Sequence, residues 1–165
     1  MFKQVLDYVK KNRGQTSYEL LGRSAEKYRI EEKYPFDDFA ELLSKVKLIT
    51  SGEDDFIARI SRETMMEEAT WKSLFRRMDP VSVFSSTQRQ EGRQQLADYE
   101  PVETSANRVV MRMKMWTENR EHQYMWAEFY RGRLEGILEL IGRKGSVKMT
   151  REFGNGGFTF DISWT

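Results

Sequence analysis

The most informative stretch of the sequence is Arg108-Val109-Val110-Met111-Arg112-Met113-Lys114-Met115-Trp116. Val109 and the three methionines fall on every second position, and Arg108, Arg112 and Lys114 fall between them. Successive side chains of a β-strand point to opposite faces, so this period predicts a strand with a buried methionine face and a cationic solvent face. Half-solvated strands of this kind are typical of antiparallel sheets.

The segments around this strand predict the rest of a sheet. Gln94 to Val102 is expected to pair with it as a hairpin, with residues 103–107 as the connection. Two further strands, Ser146–Phe153 and Phe158–Trp164, are expected to pair through the turn residues Gly154-Asn155-Gly156-Gly157. Their inward face should carry Val147, Met149, Phe158, Phe160 and Ile162.

A long amphipathic helix is predicted between these two hairpins, from Glu118 to Ile141. Its apolar residues recur at steps of three and four, which gives a wide apolar face. Gly132 and Gly136 lie on this helix, where each lowers stability by up to ~1 kcal/mol relative to alanine. We therefore expect them to pack closely on the sheet or on a partner.

The N-terminal half is predicted to be helical. The first helix should stop at Asn12-Arg13-Gly14, and a later one should span about Asp55 to Met78, with a bend or a solvent-exposed face near Glu67 and Glu68. Asp79-Pro80 is a helix-start signal before a segment that buries Val83 and Phe84. The prediction is one α+β domain over residues 1–165, in which 1–93 is mainly helical and 94–165 is an antiparallel sheet of about four strands crossed by one long helix.

Composition limits the classes of function. The chain has 165 residues, 27 cations and 26 anions, no cysteine and a single histidine. The near-balance of charge argues against a general nucleic-acid binder, and the lack of cysteine excludes disulfides and thiolate-ligated metals. No apolar run approaches the ~20 residues of a membrane span. A cytoplasmic protein is the expectation.

One segment resembles a known family. The run Phe129-Tyr130-Arg131-Gly132-Arg133-Leu134-Glu135-Gly136-Ile137-Leu138-Glu139-Leu140-Ile141-Gly142, followed by two strands that end in Asp161-Ile162-Ser163-Trp164, is similar to the C-terminal half of a bacterial family of paralogous domains abundant in myxobacteria. That family is similar in turn to haem nitric-oxide-binding domains, to small-ligand domains of the 4-vinyl-reductase type and to TRAPP subunits of Golgi transport. The matching positions are glycines and aromatic packing residues, so the resemblance implies a fold.

The departures from those families imply that haem and metal are absent. Haem-binding members use a histidine on a central helix and a Tyr-x-Ser-x-Arg motif. Here the one histidine is His122, near the start of the long helix, and the motif does not occur. The cysteines that small-ligand members often carry in the final hairpin are missing from Arg151–Phe158. No cofactor is therefore expected.

The resulting hypothesis is a non-enzymatic sensory or interaction domain that binds a small apolar molecule or a protein partner. Pockets often form where two layers meet, so the expected site lies between the helical half and the sheet. Its predicted lining residues are Trp71, Phe75, Phe84, Met111, Met113 and Trp126. An ordinary core is the simpler explanation of the methionines. A homodimer is also expected, because the stripe of the Glu118–Ile141 helix is wider than one sheet covers.

Two alternatives stay open. Arg89 and Arg93 have the Arg-x-x-x-Arg spacing of some cyclic-dinucleotide receptors, and guanidinium groups four residues apart suit phosphate contacts. The sequence lacks the accompanying Asp-x-Ser-x-x-Gly element, and a solvated helix end explains the pair as well. An enzyme ranks last, because no nucleophile motif, paired acid and base, or metal cluster is recognisable.

Overall fold

A computed structural model describes residues 2–21, 36–50, 53, 55–67, 75, 78–84, 97–152 and 157–165. Within these ranges the helices are α1 (Phe2–Leu20), α2 (Phe36–Ile49), α3 (Phe56–Glu67) and α4 (Arg120–Leu140). The strands are β1 (Ala97–Ser105), β2 (Arg108–Met115), β3 (Gly145–Arg151) and β4 (Gly157–Trp164). The predicted α+β class, with a four-stranded antiparallel sheet and one long crossing helix, is confirmed.

The sheet has the strand order β1-β2-β4-β3, and all neighbouring strands are antiparallel. β2 and β3 both run antiparallel to β4, so they are parallel to each other and need the crossover that α4 provides. Met111 lies opposite Phe160 and Met113 opposite Phe158. The predicted inward face is confirmed: Met111, Met113, Phe158, Phe160 and Ile162 are completely buried.

The helical layer is assembled around α4. α3 packs on α4, α2 contacts the first half of α4 through Phe39 and Asp37, and β3 and β4 also contact α4. Leu134, Ile137 and Leu138 are thereby buried within the chain. The wide stripe that suggested a homodimer is covered by α3 and the sheet together, so the homodimer stays a prediction without that support.

The local signals for helix ends are largely confirmed. Gly14 has φ 81° and ψ 176°, which interrupts α1 where the sequence predicted a stop. The backbone N–H of Ser82 donates to Asp79 Oδ2 at 3.0 Å, as expected of a cap. Glu67 is exposed and its Oε1 lies 3.1 Å from Lys11 Nζ, so the polar position in α3 faces solvent. Glu68 lies outside the described residues.

The helix predicted from about Asp55 to Met78 is described as far as Glu67, and Met78 forms a bend before the Asp79 cap. Residues 68–74, 76 and 77 lie outside the described residues.

Three predicted boundaries and contacts are wrong. β1 continues to Ser105, so the hairpin connection is only Ala106-Asn107. The polar segment 103–105 pairs with β2 although both of its faces are exposed. α4 spans Arg120–Leu140 rather than Glu118–Ile141, because Asn119 caps it. Gly132 and Gly136 face α3, neither the sheet nor a partner.

No helix among the described residues is both long enough and apolar enough to cross a membrane.

Candidate functional site

Five of the six predicted pocket residues lie in one buried apolar core. Phe84, Met111 and Met113 are 0% exposed, and Phe75 and Trp126 are 2% exposed. The sixth, Trp71, lies outside the described residues. Residues of the helical half, β2 and α4 that were selected from sequence periodicity thus lie in the same core. That they line a ligand cavity stays a prediction.

Aromatic rings connect the layers of this core. Trp126 stacks on Phe129 with ring centroids 5.8 Å apart, and both rings meet the edge of Phe39 from α2. The Trp126 indole N–H donates to the Tyr99 hydroxyl of β1 at 3.3 Å. An indole in this position spans the junction between the helices and the sheet while its one polar atom is satisfied.

A second junction lies at the C-terminal end of the sheet. Phe84, five residues after the Asp79 cap, packs on Trp164 with ring centroids 5.7 Å apart. Trp164 ends β4 and is 5% exposed. This aromatic pair attaches the segment after Asp79 to the sheet. It also confirms the predicted burial of Phe84.

His122 does not fit the role of a haem ligand. It lies in the first turn of α4, and its Nδ1 is 2.8 Å from Asp37 Oδ1 of α2. Its backbone N–H donates to the side chain of Asn119 at 3.2 Å. His122 does not belong to the buried core, and the sequence holds no other histidine. The residues present therefore do not fit a histidine-ligated haem.

Arg89 and Arg93, the alternative phosphate-binding pair, lie outside the described residues. Their role as a cyclic-dinucleotide site stays a prediction.

The sequence did not reveal a cleft of about 760 Å³ between α3, the second half of α4 and the start of β3. Ala58, Leu138 and Val147 form its apolar part. Its charged lining consists of Asp55, Arg59, Arg62, Arg131, Glu135, Glu139, Arg143 and Lys144. The only feature of this cleft that stood out in the sequence was the pair Arg143-Lys144. Cations at the negative end of a helix already explained that pair.

Arg131 is the centre of the ion pairs in this cleft. Its Nη2 lies 2.5 Å from Asp55 Oδ1 and 2.9 Å from Glu128 Oε2, and its Nη1 lies 2.9 Å from Glu135 Oε1. Burial by itself lowers the pKa of Arg131, but the three carboxylates outweigh it and raise that pKa. Burial raises the pKa of Glu135, and Arg131 opposes this shift.

Comparison with known proteins shows the fold. No protein-family model matches the sequence, and no curated protein matches it. Among solved structures, the chain is similar to an Fe(II) unliganded H-NOX (haem nitric-oxide-binding) protein from K. algicida, with a TM-score of 0.76 and 18% identity over 99% of this chain and 94% of that one. It is also similar to an IWP-051-bound H-NOX from Shewanella woodyi in the Fe(II)CO ligation state, with a TM-score of 0.68 and 14% identity over 99% and 92%. The chain has an H-NOX-like fold.

Proposed function

We propose that this chain is a non-enzymatic sensory or interaction domain that uses an H-NOX-like fold without haem to bind a small apolar molecule or a protein partner. One observation carries the proposal. The junction between helices and sheet is a continuous apolar core, while the single histidine lies outside it in contact with Asp37.

The composition of this core suits an adaptable binding site. Met111 and Met113 face the junction from β2, and unbranched thioether side chains repack around ligands of different shape. Phe75, Phe84 and Trp126 are buried, so a ligand that enters this core displaces packed side chains. A ligand that binds the folded state and not the unfolded one raises the stability, so binding should raise the Tm.

The wider kinship also belongs to this proposal. We infer a relation to the myxobacterial paralogous domains, to 4-vinyl-reductase-type domains and to TRAPP subunits from the Phe129–Gly142 segment. A cytoplasmic location and the residue pair Arg89 and Arg93 as an anionic-nucleotide site remain predictions of the sequence.

The first test is native mass spectrometry of the protein purified from its own host, together with absorbance after addition of haem. We expect a bound small molecule or a partner protein, and no Soret band of a ligated haem. Stoichiometric haem with such a band contradicts the haem-free role. A protein that carries neither ligand nor partner contradicts the binding role.

The second test places the site. If native mass spectrometry identifies a small molecule, we expect it to raise the Tm of the wild-type protein. Trp126→Phe, which removes part of the junction and the N–H donated to Tyr99, should reduce that rise. Trp116→Phe is the matched control, since Trp116 is 54% exposed and outside the core. Equal shifts in both variants contradict a site at the junction.

A further inference from the structure

The cleft between α3, α4 and β3 is a second site, separate from the junction described above. Its volume of about 760 Å³ lies in the range of small-molecule pockets. Its apolar part is formed by Ala58, Leu138 and Val147, each less than a tenth exposed. These packed side chains can contact the apolar part of a small ligand.

The carboxylates of this cleft already have cationic partners. Asp55 and Glu135 are bound by Arg131, and Glu139 Oε1 lies 3.5 Å from Arg62 Nε. Arg59 is likewise engaged, with its Nη2 2.8 Å from Glu53 Oε2. These four pairs join three arginines to four carboxylates, so none of the three arginines lacks an anionic partner.

Arg143 and Lys144, at the rim of the cleft, differ from these arginines because they lack such partners among the described residues. Within the described part of the chain, no carboxylate lies within ion-pair distance of Arg143 or Lys144. Three carbonyl groups at the end of α4, those of Ile137, Leu138 and Glu139, already accept the backbone N–H groups of Ile141, Arg143 and Gly142. Ser146, also exposed, follows them at the same rim, and its hydroxyl lies 3.3 Å from that of Ser163.

We propose that this cleft binds a small organic anion, a phosphate or carboxylate with a compact apolar body. Arg143 and Lys144 contact the anionic group, and Leu138 and Val147 contact the apolar body. A guanidinium beside an ammonium suits a group with several oxygen acceptors. The site does not depend on the ligand of the helix–sheet junction.

The test uses phenyl phosphate as the probe, with phenol and inorganic phosphate beside it, in calorimetric titrations of the whole protein. We expect phenyl phosphate to bind more tightly than either reference compound. The double variant Arg143→Gln/Lys144→Gln should weaken this binding at least about tenfold, which is about 1.4 kcal/mol. Both positions are exposed, so folding should be unaffected.

The matched control is Lys114→Gln/Lys148→Gln, which removes two exposed cations from the solvent face of the sheet. Its affinity for phenyl phosphate should stay within about twofold of the wild type. Three results overturn the proposal: no binding to the wild type, an equal loss in both double variants, or phenol or inorganic phosphate binding as tightly as phenyl phosphate.

Discussion

Gly132 is the residue that most tightly constrains the helical layer. A methyl group at this position would lie 1.8 Å from the carbonyl oxygen of Ala58, which belongs to the backbone of α3. We expect Gly132→Ala to push α3 and α4 apart and to lower the free energy of unfolding by about 3 kcal/mol, measured by urea unfolding. The gain in helix propensity, ~1 kcal/mol, is too small to offset this.

Gly136→Ala is the control for this prediction. Its added methyl group would lie 3.2 Å from the Arg62 carbonyl oxygen, a contact that small shifts relieve. Its stability should stay within about 1 kcal/mol of the wild type, because helix propensity compensates. If Gly132→Ala is as stable as Gly136→Ala, the close approach of the two helices is wrong.

The same two glycines show what a sequence predicts at the scale of a residue. Their position on an amphipathic helix predicted close packing, since glycine in a helix otherwise only destabilises. The partner was not predictable, because Ala58 is distant in the chain and carries no signal of its own.

At the scale of an element, α4 depends on its cap. The Asn119 side chain accepts the backbone N–H groups of Glu121 at 3.0 Å and His122 at 3.2 Å. We expect Asn119→Ala to lower the free energy of unfolding by about 1 kcal/mol. Asn119→Asp should retain stability, since a carboxylate accepts the same bonds and suits the positive helix end. Urea unfolding measures both variants, and equal losses would exclude a capping role.

The strands show which elements the sequence specifies well. Met111, Met113, Phe158 and Phe160 alternate with polar residues, and their faces were predicted correctly because one face is buried. The end of β1 was not predicted correctly, because the polar segment 103–105 is exposed on both faces and shows no alternation of apolar and polar residues. Where both faces of a strand are exposed, the sequence period does not indicate where the strand ends.

At the scale of the whole molecule, separately predicted segments meet in ways that only the fold determines. The core at the helix–sheet junction was predictable, since each contributing segment has its own apolar pattern. The cleft was not predictable, because Arg143 and Lys144 come to line the same cleft as α3 only through the crossover from β2 to β3. A charged site whose residues come from distant elements cannot be predicted from the spacing of residues within one segment.

The solvent face of the sheet links the stability of the molecule to pH. Arg108 donates to both oxygens of Asp161 at 2.8 and 3.0 Å, and Arg112 Nε lies 2.8 Å from Glu152 Oε1. The hydrogen bonds from Arg108 lower the pKa of Asp161. Those from Thr159 and Arg112 lower the pKa of Glu152. Both carboxylates therefore stabilise the folded state above their ordinary pKa values, and this contribution is lost as the pH falls through the lowered ones.

Glu135 acts in the opposite direction, because its raised pKa means that the folded state gains stability as the pH falls through that value. The hydrogen bond from Arg13 also lowers the pKa of Glu53. Three lowered pKa values against one raised value predict a net loss of stability in acid. Asp161→Asn should flatten the decline of the free energy of unfolding below about pH 4, as measured by urea unfolding at a series of pH values. Glu118→Gln, at an exposed position without an ion pair among the described residues, should leave the decline unchanged. An Asp161→Asn profile parallel to the wild type would show that the Arg108 pair does not contribute to acid sensitivity.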